Sequence, residues 1–369
     1  MSKVFKKNSR NGTICLYLGR RDFVDHMDHV DAVDGVLTVD PSELDGRKVW
    51  VQLACTFRYG PDDLDVIGLS FRKDIWIEHI QIYPPPAQDK PANTSLQDAL
   101  IKKAGEGAHP FTFNIPPNLP CSVTLQPAPG DKGKVCGVDF ELKAYIANDA
   151  DNPEEKINKK DTCRLIIRKI QFAPDRLQAG PKMNICKQFM MSDKAIYLDA
   201  SIEKEVYYHG DPVHVKVKVI NNTNKVVQKM TIIIEQTTDV VLYSADKYTK
   251  VVLCEEFRDQ VNVNSTFEKE YEVTPLLANN KEKRGLALDG KLKDEDTNLA
   301  SSTILRSGMD KKVQGILVSY KLKVNLTAAG GGILGSLNSS YVTAELPLVL
   351  MSQKPIAQTS SPSRLPGKC

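Results

Sequence analysis

The chain predicts an all-β protein: two antiparallel β-sandwich domains joined by a short hinge, with one short amphipathic helix in the N-terminal domain. Three observations lead there. Apolar residues recur at every second position in many separate runs, the period of a half-buried strand. Gly, Pro and Asn turns split those runs, as in sandwiches rather than in βαβ units. The length of 369 residues is too great for one ordinary domain and ample for two.

The runs can be taken in order. "KVWVQLACTF" (48–57) puts Val49, Val51, Leu53, Cys55 and Phe57 on one face. "SLQDALIKKAG" (95–105) is the one convincing helix, with Leu96, Leu100, Ile101 and Ala104 as its apolar stripe. Ser95 is its expected N-cap, with Asp98 three residues on, and Gly105 its expected close. The stripe is read as lying on the helix's own sheet, though its length leaves room for a second apolar strip. "GVDFELKAYI" (137–146) buries Val138, Phe140, Leu142 and Ile146. "DTCRLIIRKIQFAP" (161–174) sets Arg164, Ile166, Arg168, Ile170 and Phe172 in one row. The later part of that row is apolar and reads as buried, which leaves a guanidinium between two isoleucines.

Further on, "PVHVKVKVI" (212–220) turns four valines inward and His214, Lys216 and Lys218 outward. "GILVSYKLKVNL" (315–326) places Ile316, Val318, Tyr320, Leu322, Val324 and Leu326 on one face. The prolines and glycine of "APDRLQAGPK" mark a hinge at 173–182 between domains at 1–172 and 183–353. Residues 354–369, rich in Ser and Pro, read as a flexible tail.

Composition excludes several classes. A hydrophobic share of 41% and a charged share of 26% are those of a soluble globular protein. A net charge of +3 is too small for a global attraction to nucleic acid or membrane, so any electrostatic function must come from local clustering. Eight scattered cysteines form no CxxC pair, and Cys15, Cys55 and Cys163 lie in apolar runs, which favours reduced thiols in the cytoplasm. The N-terminus has no apolar signal segment, and no run is long enough to span a bilayer. "AAGGGILG" (328–335) lacks the lysine and helix of a phosphate loop, and no GxSxG or HExxH occurs. His26 and His29 are spaced like metal ligands, but no cysteine or carboxylate pattern completes a site. "YPPPA" (83–87) reads as a rigid turn before it reads as a ligand for a proline-binding groove. No catalytic residue, metal site or cofactor is expected.

Charge clustering is the remaining signal. Arg168 could be matched by Asp22 in "YLGRRDFVDH" and by the acids of "GLALDGKLKDEDTNLASS" (285–302), or it could snorkel to a domain edge. Lys3, Lys6, Lys7 and Arg10 crowd the N-terminus, Lys102 and Lys103 end the helix, and Lys291 and Lys293 interleave with the loop acids. Brought together they would suit a polyanion or a phosphorylated peptide.

These residues carry a resemblance. "YLGRRDFVDH", "FRYGPDDLDVIGLSFRKD", "NLPCSVTLQPAPGDKGKVCGVDFE", "RLIIRKIQFAP", "TDVVLYSADKYTK" and "GLALDGKLKDEDTNLASST" resemble the arrestin family, most closely its cone-type visual branch, from Met1 to about Met351. The resemblance implies a non-enzymatic protein that binds a light-activated, phosphorylated G-protein-coupled receptor such as a cone opsin. It would block G-protein coupling from the cytoplasm of a photoreceptor cell, as a monomer recruited to the receptor-bearing membrane. The alternative it implies is an arrestin-fold scaffold for receptor sorting or trafficking.

It also implies roles. Arg168 would face Asp22, Asp289 and Asp296 in a polar core that receptor phosphate unbalances. Lys6, Lys7, Arg10, Lys103, Arg164, Lys291 and Lys293 would contact phosphate. Gly60, Asp62, Asp63, Leu64, Val66, Ile67 and Leu69 would form a finger loop entering the receptor, and 128–135 a middle loop. Phe189, Met190, Ile333 and Leu334 would be exposed apolar anchors at the membrane edge. Val4, Phe5, Leu96 and Leu100 would form a helix–strand lock for a C-terminal tail. The chain stops at Cys369 without the family's phenylalanine-rich tail segment and its arginine, and Ala104 stands where the family has a larger apolar residue. Both departures lead to the expectation of a weak basal lock.

Overall fold

Alternation decides the architecture strand by strand. The computed structural model describes residues 4–59, 71–87, 91–127, 136–150, 152, 155–173, 178–189, 193–242, 246–292, 297–329 and 340–352. All of the finger loop at 59–69 but Tyr59, the middle loop at 128–135, Met190, Lys293, Asp296, Ile333, Leu334 and the tail at 354–369 fall outside them.

The N-terminal half holds two sheets. One orders β1 (Phe5–Asn8), β2 (Ile14–Leu18), β4 (Val33–Val39) and β7 (Ala108–Phe113), all antiparallel. The other contains β3 (Asp22–Asp25), β5 (Lys48–Tyr59), β6 (Phe71–Tyr83), β8 (Val123–Leu125), β9 (Gly137–Ala147) and β10 (Thr162–Gln171). The C-terminal half repeats the plan. Its four-stranded sheet orders β11 (Lys182–Gln188), β12 (Ala195–Ile202), β14 (Val213–Asn221) and β17 (Ser265–Val273). Its five-stranded sheet orders β13 (Val206–Tyr208), β20 (Ser340–Met351), β19 (Ile316–Ala329), β15 (Val226–Val240) and β16 (Lys247–Phe257). A two-residue strand, β18 (Ala287–Leu288), leaves this half and pairs with β8 of the first.

Among the described residues the ladders are antiparallel with two exceptions: β3 runs parallel to β10, and β13 parallel to β20. The first exception matters, because it sets Asp22 opposite Arg168 and Asp25 opposite Gln171.

The expected inward rows are the core. Val49, Val51, Leu53, Cys55 and Phe57 are fully buried, as are Val213, Val215 and Val219, while Lys216 and Lys218 are exposed. Burying such rows supplies about 25 cal/mol per Å² of apolar surface, the main favourable term in a sandwich. Burial pushes the Cys163 thiol up to about 12, so it stays protonated and inert. Cys15, Cys55, Cys121, Cys136, Cys163, Cys186 and Cys254 form no disulfide.

The helix, α1 (Ser95–Ala104), is capped one residue before the expected position. Thr94, not Ser95, accepts from the Gln97 amide at 3.1 Å, while the Gln97 side chain accepts from the Thr94 amide at 2.9 Å. Gln97 also donates to the Phe111 carbonyl at 2.8 Å, so a residue that reads as polar surface is 3% exposed and ties the helix to its sheet. A glutamine three residues after Thr94 completes a reciprocal capping box, which an aspartate after Ser95 does less well. Gly105 closes the helix at φ +85°, donating to the Ile101 carbonyl. Leu100 packs with Cys15, Tyr17 and Val36, and Val4, Leu96, Ile101 and Ala104 surround them. The stripe therefore does lie on its own sheet.

Candidate functional site

Strand β10 carries the site, and it corrects one expectation. The Arg168 row is not the buried one: Arg164 is exposed and Ile166, Arg168 and Ile170 are half-buried. The opposite row goes to the core, with Cys163 at 2%, Ile167 at 0% and Lys169 at 0% exposure. An apolar row carrying arginines disguised the sandwich's outer face, and a lysine disguised its inner one.

Arg168 answers Asp22 through the parallel register. Its Nε and Nη2 donate to the two Asp22 carboxylate oxygens at 2.6 and 2.8 Å, a fork-to-fork pair of high directionality. Its Nη1 donates to the Gly290 carbonyl at 3.2 Å. Gly290 sits at φ +35°, and a Cβ there would lie 2.9 Å from the Ser122 Cβ and 3.0 Å from the Arg168 Cδ. Only glycine lets the segment after β18 approach the arginine stem this closely. Arg21 backs the arrangement, donating twice to the Ile166 carbonyl while its own carbonyl accepts from the Arg168 amide.

Asp289 lies one residue from that contact. It accepts from the Ser301 amide at 2.6 Å and hydroxyl at 2.8 Å, and Nε2 of His209 stands 3.0 Å from it. His209 was not foreseen from sequence; "YYHGDP" reads only as a turn after a strand. Ser352, where β20 ends, reaches the same carboxylate at 3.5 Å.

A second ionic group lies on the inner face and was missed entirely. Lys169 Nζ meets Asp25 at 2.8 Å and donates to the Leu119 carbonyl at 2.7 Å. Arg306, in the segment between β18 and β19, forks onto Asp25 at 3.0 and 2.7 Å. Arg306 also donates to the carbonyls of Met27 and Pro117, both at 2.6 Å. Burial alone would push the Asp25 carboxyl up, but Arg306 and Lys169 together outweigh it and hold it below the usual carboxylate range.

The basic residues divide. Lys7, Arg10, Lys143, Lys159 and Arg164 line one cleft of about 400 Å³. Lys143 and Lys159 are additions that the sequence reading passed over. Burial first, and the adjoining Arg164 second, depress the Lys143 ammonium, while Glu141 acts against them. Lys6 turns to the other face of β1 and stacks over the Tyr17 ring at 5.3 Å. Lys103 ends α1, and Lys291 follows Gly290, its amide on the Thr124 hydroxyl; neither lines the cleft.

Two further expectations change. Phe189 is no exposed anchor: it is 5% exposed and packed in the core beneath Lys225, 5.3 Å from its ring. The helix–strand set also splits. Val4 joins Leu96 and Leu100, whereas Phe5, one residue on, turns to the main core and lies under Arg21 at 5.6 Å. Strand alternation forbids both from facing the helix. His26 and His29 stack at 4.6 Å and pair with Asp31 and Asp28. Among the described residues no cluster of His, Cys, Asp and Glu could hold a metal ion, and no helix is long and apolar enough to cross a membrane.

Two sandwiches joined by the buried Asp25–Arg306 pair and by the backbone bonds of β18, the first of them fronted by a basic cleft, suit a binding protein. Residues 14–173 match the arrestin (or S-antigen) N-terminal domain, and residues 192–355 match the C-terminal domain. The chain is 59% identical to Arrestin-C of Lithobates pipiens over 360 residues, 98% of this chain and 92% of that protein. It is 56% identical to Arrestin-C of Sus scrofa and 54% identical to that of Homo sapiens, each over 362 residues, with the same coverage of both chains. The chain belongs to the arrestin family, whose members are non-enzymatic, receptor-binding adaptors in receptor desensitization.

Proposed function

We propose that this chain binds a light-activated, phosphorylated cone opsin in the cytoplasm of a cone photoreceptor and blocks its coupling to G protein. One observation carries the reading. A bidentate Arg168–Asp22 pair, with its arginine 11% and its aspartate 39% exposed, lies on the strand whose Arg164 lines the basic cleft. A receptor phosphate carries about −1.5 to −2 charges, against −1 for Asp22, and offers three acceptor oxygens. Lys7, Arg10, Lys143, Lys159 and Arg164 gather it, and it then competes for Arg168. Losing that arginine releases Asp22 and the Gly290 carbonyl together, which frees the segment after β18 from the N-terminal half. A switch of this kind works because the Asp22 side of the pair is open to a solvated anion, so the arginine changes partner without being stranded.

The finger loop at 59–69 and the middle loop at 128–135 then engage the receptor's opened face. Met190, Ile333 and Leu334 touch lipid, and Asp296 shares the acid side of the Arg168 cluster. The domains span 1–172 and 183–353 about a hinge at 173–182, and one monomer serves one receptor. Co-sedimentation with cone-opsin membranes, lit or dark and phosphorylated or not, tests the reading. Retention only by lit, phosphorylated membranes is expected. Equal retention by all four membranes overturns it.

A further inference from the structure

Arg306 has no part in the reading above, yet it joins the same two bodies as Arg168. Asp22 and Asp25 stand three residues apart on β3, which lies parallel to β10. Gly290, Asp289 and Arg306 all belong to the single stretch between β18 and β19. Arg168 therefore fastens the start of that stretch to Asp22, and Arg306 fastens its later part to Asp25.

The Asp25–Arg306 fastening also borders a cavity between the halves. A space of about 40 Å³, enough for a water, is lined by Asp25, Cys121 and Lys169 from one half and by Asp289, Ser301 and Arg306 from the other. Ser122 sits between them. Its amide donates to the Lys169 carbonyl, its hydroxyl accepts from the Lys169 amide at 3.0 Å, and its Cβ abuts Gly290. Gln314 adds a bond from the same stretch to the Asn118 carbonyl at 3.1 Å.

We propose that Arg306 is a positioning residue that sets how strictly this protein requires receptor phosphate, by holding Asp22 and Gly290 in register with Arg168. The proposal rests on the phosphate-competition reading above. Arg306 touches no phosphate in this scheme; its side chain is 17% exposed and committed to Asp25 and two carbonyls. With Arg306 in place, the far end of the stretch stays fixed when thermal motion opens the Arg168 end, so that end recloses. Without it, both ends open together and the active-like arrangement is populated without phosphate.

The variants are chosen so that folding survives. Arg306→Ala leaves Asp25 with Lys169 as a buried partner, and Arg306→Lys restores the charge without the fork. Binding to lit, unphosphorylated opsin membranes should rise about five- to tenfold in Arg306→Ala, with binding to the phosphorylated form unchanged and Arg306→Lys intermediate. In an Arg168→Glu background Arg306→Ala should add nothing, since its target is already released. Hydrogen exchange on the free protein supplies a readout that needs no receptor: amides at 20–25 and 289–292 should exchange faster in Arg306→Ala.

An unchanged ratio of phosphorylated to unphosphorylated binding, or a parallel loss on both forms, overturns the proposal. Full additivity with Arg168→Glu does so as well. If the wild-type chain itself ignores phosphate, the proposed function fails, and the exchange arm alone decides whether Arg306 positions Asp22. Faster exchange supports the positioning role, and unchanged exchange refutes it.

Discussion

Successive residues of one strand make two ion pairs of opposite character. Arg168 looks out and holds an aspartate that is 39% exposed; Lys169 looks in and holds one that is 1% exposed, shared with Arg306. The outer pair can be reached and contested by a solvated anion, while the inner one can only be broken from within. Exposure decides which role a charge pair can take, because solvent screening makes an accessible pair cheap to exchange and desolvation makes a buried one costly to split.

The largest expected effect tests that contrast directly. Asp25→Ala strands two buried cations and should cost about 3–5 kcal/mol, read from urea unfolding. Asp22→Ala leaves one cation beside solvent and should cost clearly less in the same measurement. Equal costs would erase the distinction between the two faces of β10.

A third carboxylate sharpens the comparison through pH. Asp139, on β9, is pushed up to about 6 by burial, with Arg58 only partly offsetting this and Glu141 adding to it. A raised carboxylate pKa contributes stability at low pH that is lost as pH rises through 6, so the charged form is a burden at neutrality. Asp139→Asn should therefore stabilise the protein by on the order of 2–3 kcal/mol at pH 7.5, with the gain vanishing below about pH 4. Asp25 has the opposite sign. Its depressed pKa contributes stability above the ordinary aspartate range that is lost as pH falls through its folded value. Thermal melts from pH 3 to 8 on both Asn variants would separate them, and slopes of the same sign would refute the assignment.

Arg168→Glu should act on selectivity. Placing a carboxylate against Asp22 removes the fastening, and binding to lit, unphosphorylated opsin should rise on the order of tenfold or more. A folded variant that still demands phosphate would sink the competition account. The smallest effects belong to the cleft. Lys7→Ala and Lys143→Gln should each weaken binding to phosphorylated receptor by about fivefold at most, sparing the unphosphorylated form. Lys6→Ala should matter less than Lys7→Ala, because Lys6 stacks on Tyr17 outside the cleft. The reverse order would move the phosphate to the other face of β1.

The sandwiches were legible because apolar alternation at 48–57, 137–146, 212–220 and 315–326 leaves one choice of buried face. At 161–174 it left two, since each row of β10 carries a cation, and chain-local pattern cannot tell a solvated lysine from one neutralised by distant partners. Arg306 stands 281 residues from Asp25, beyond any periodicity. Asp22 was within reach because a strand ran into it. Thr94 lost to Ser95 for a smaller reason: either hydroxyl can cap, and the choice turned on a glutamine whose side chain is buried by a sheet the local sequence does not contain.

The short strand β18 has a mechanical consequence. It comes from the C-terminal half yet forms the last rung of an N-terminal sheet, with Gly285 donating to the Gln126 carbonyl and Gln126 to the Leu286 carbonyl, both at 2.7 Å. The Gln126 side chain adds bonds to the carbonyls of Asn280 and Lys283. Such bonds tolerate small changes of length and angle but are lost when donor and acceptor slide out of register. A relative movement that keeps them whole turns about β18 like a door on its pins, whereas sliding of one half along the other by a residue's length breaks them.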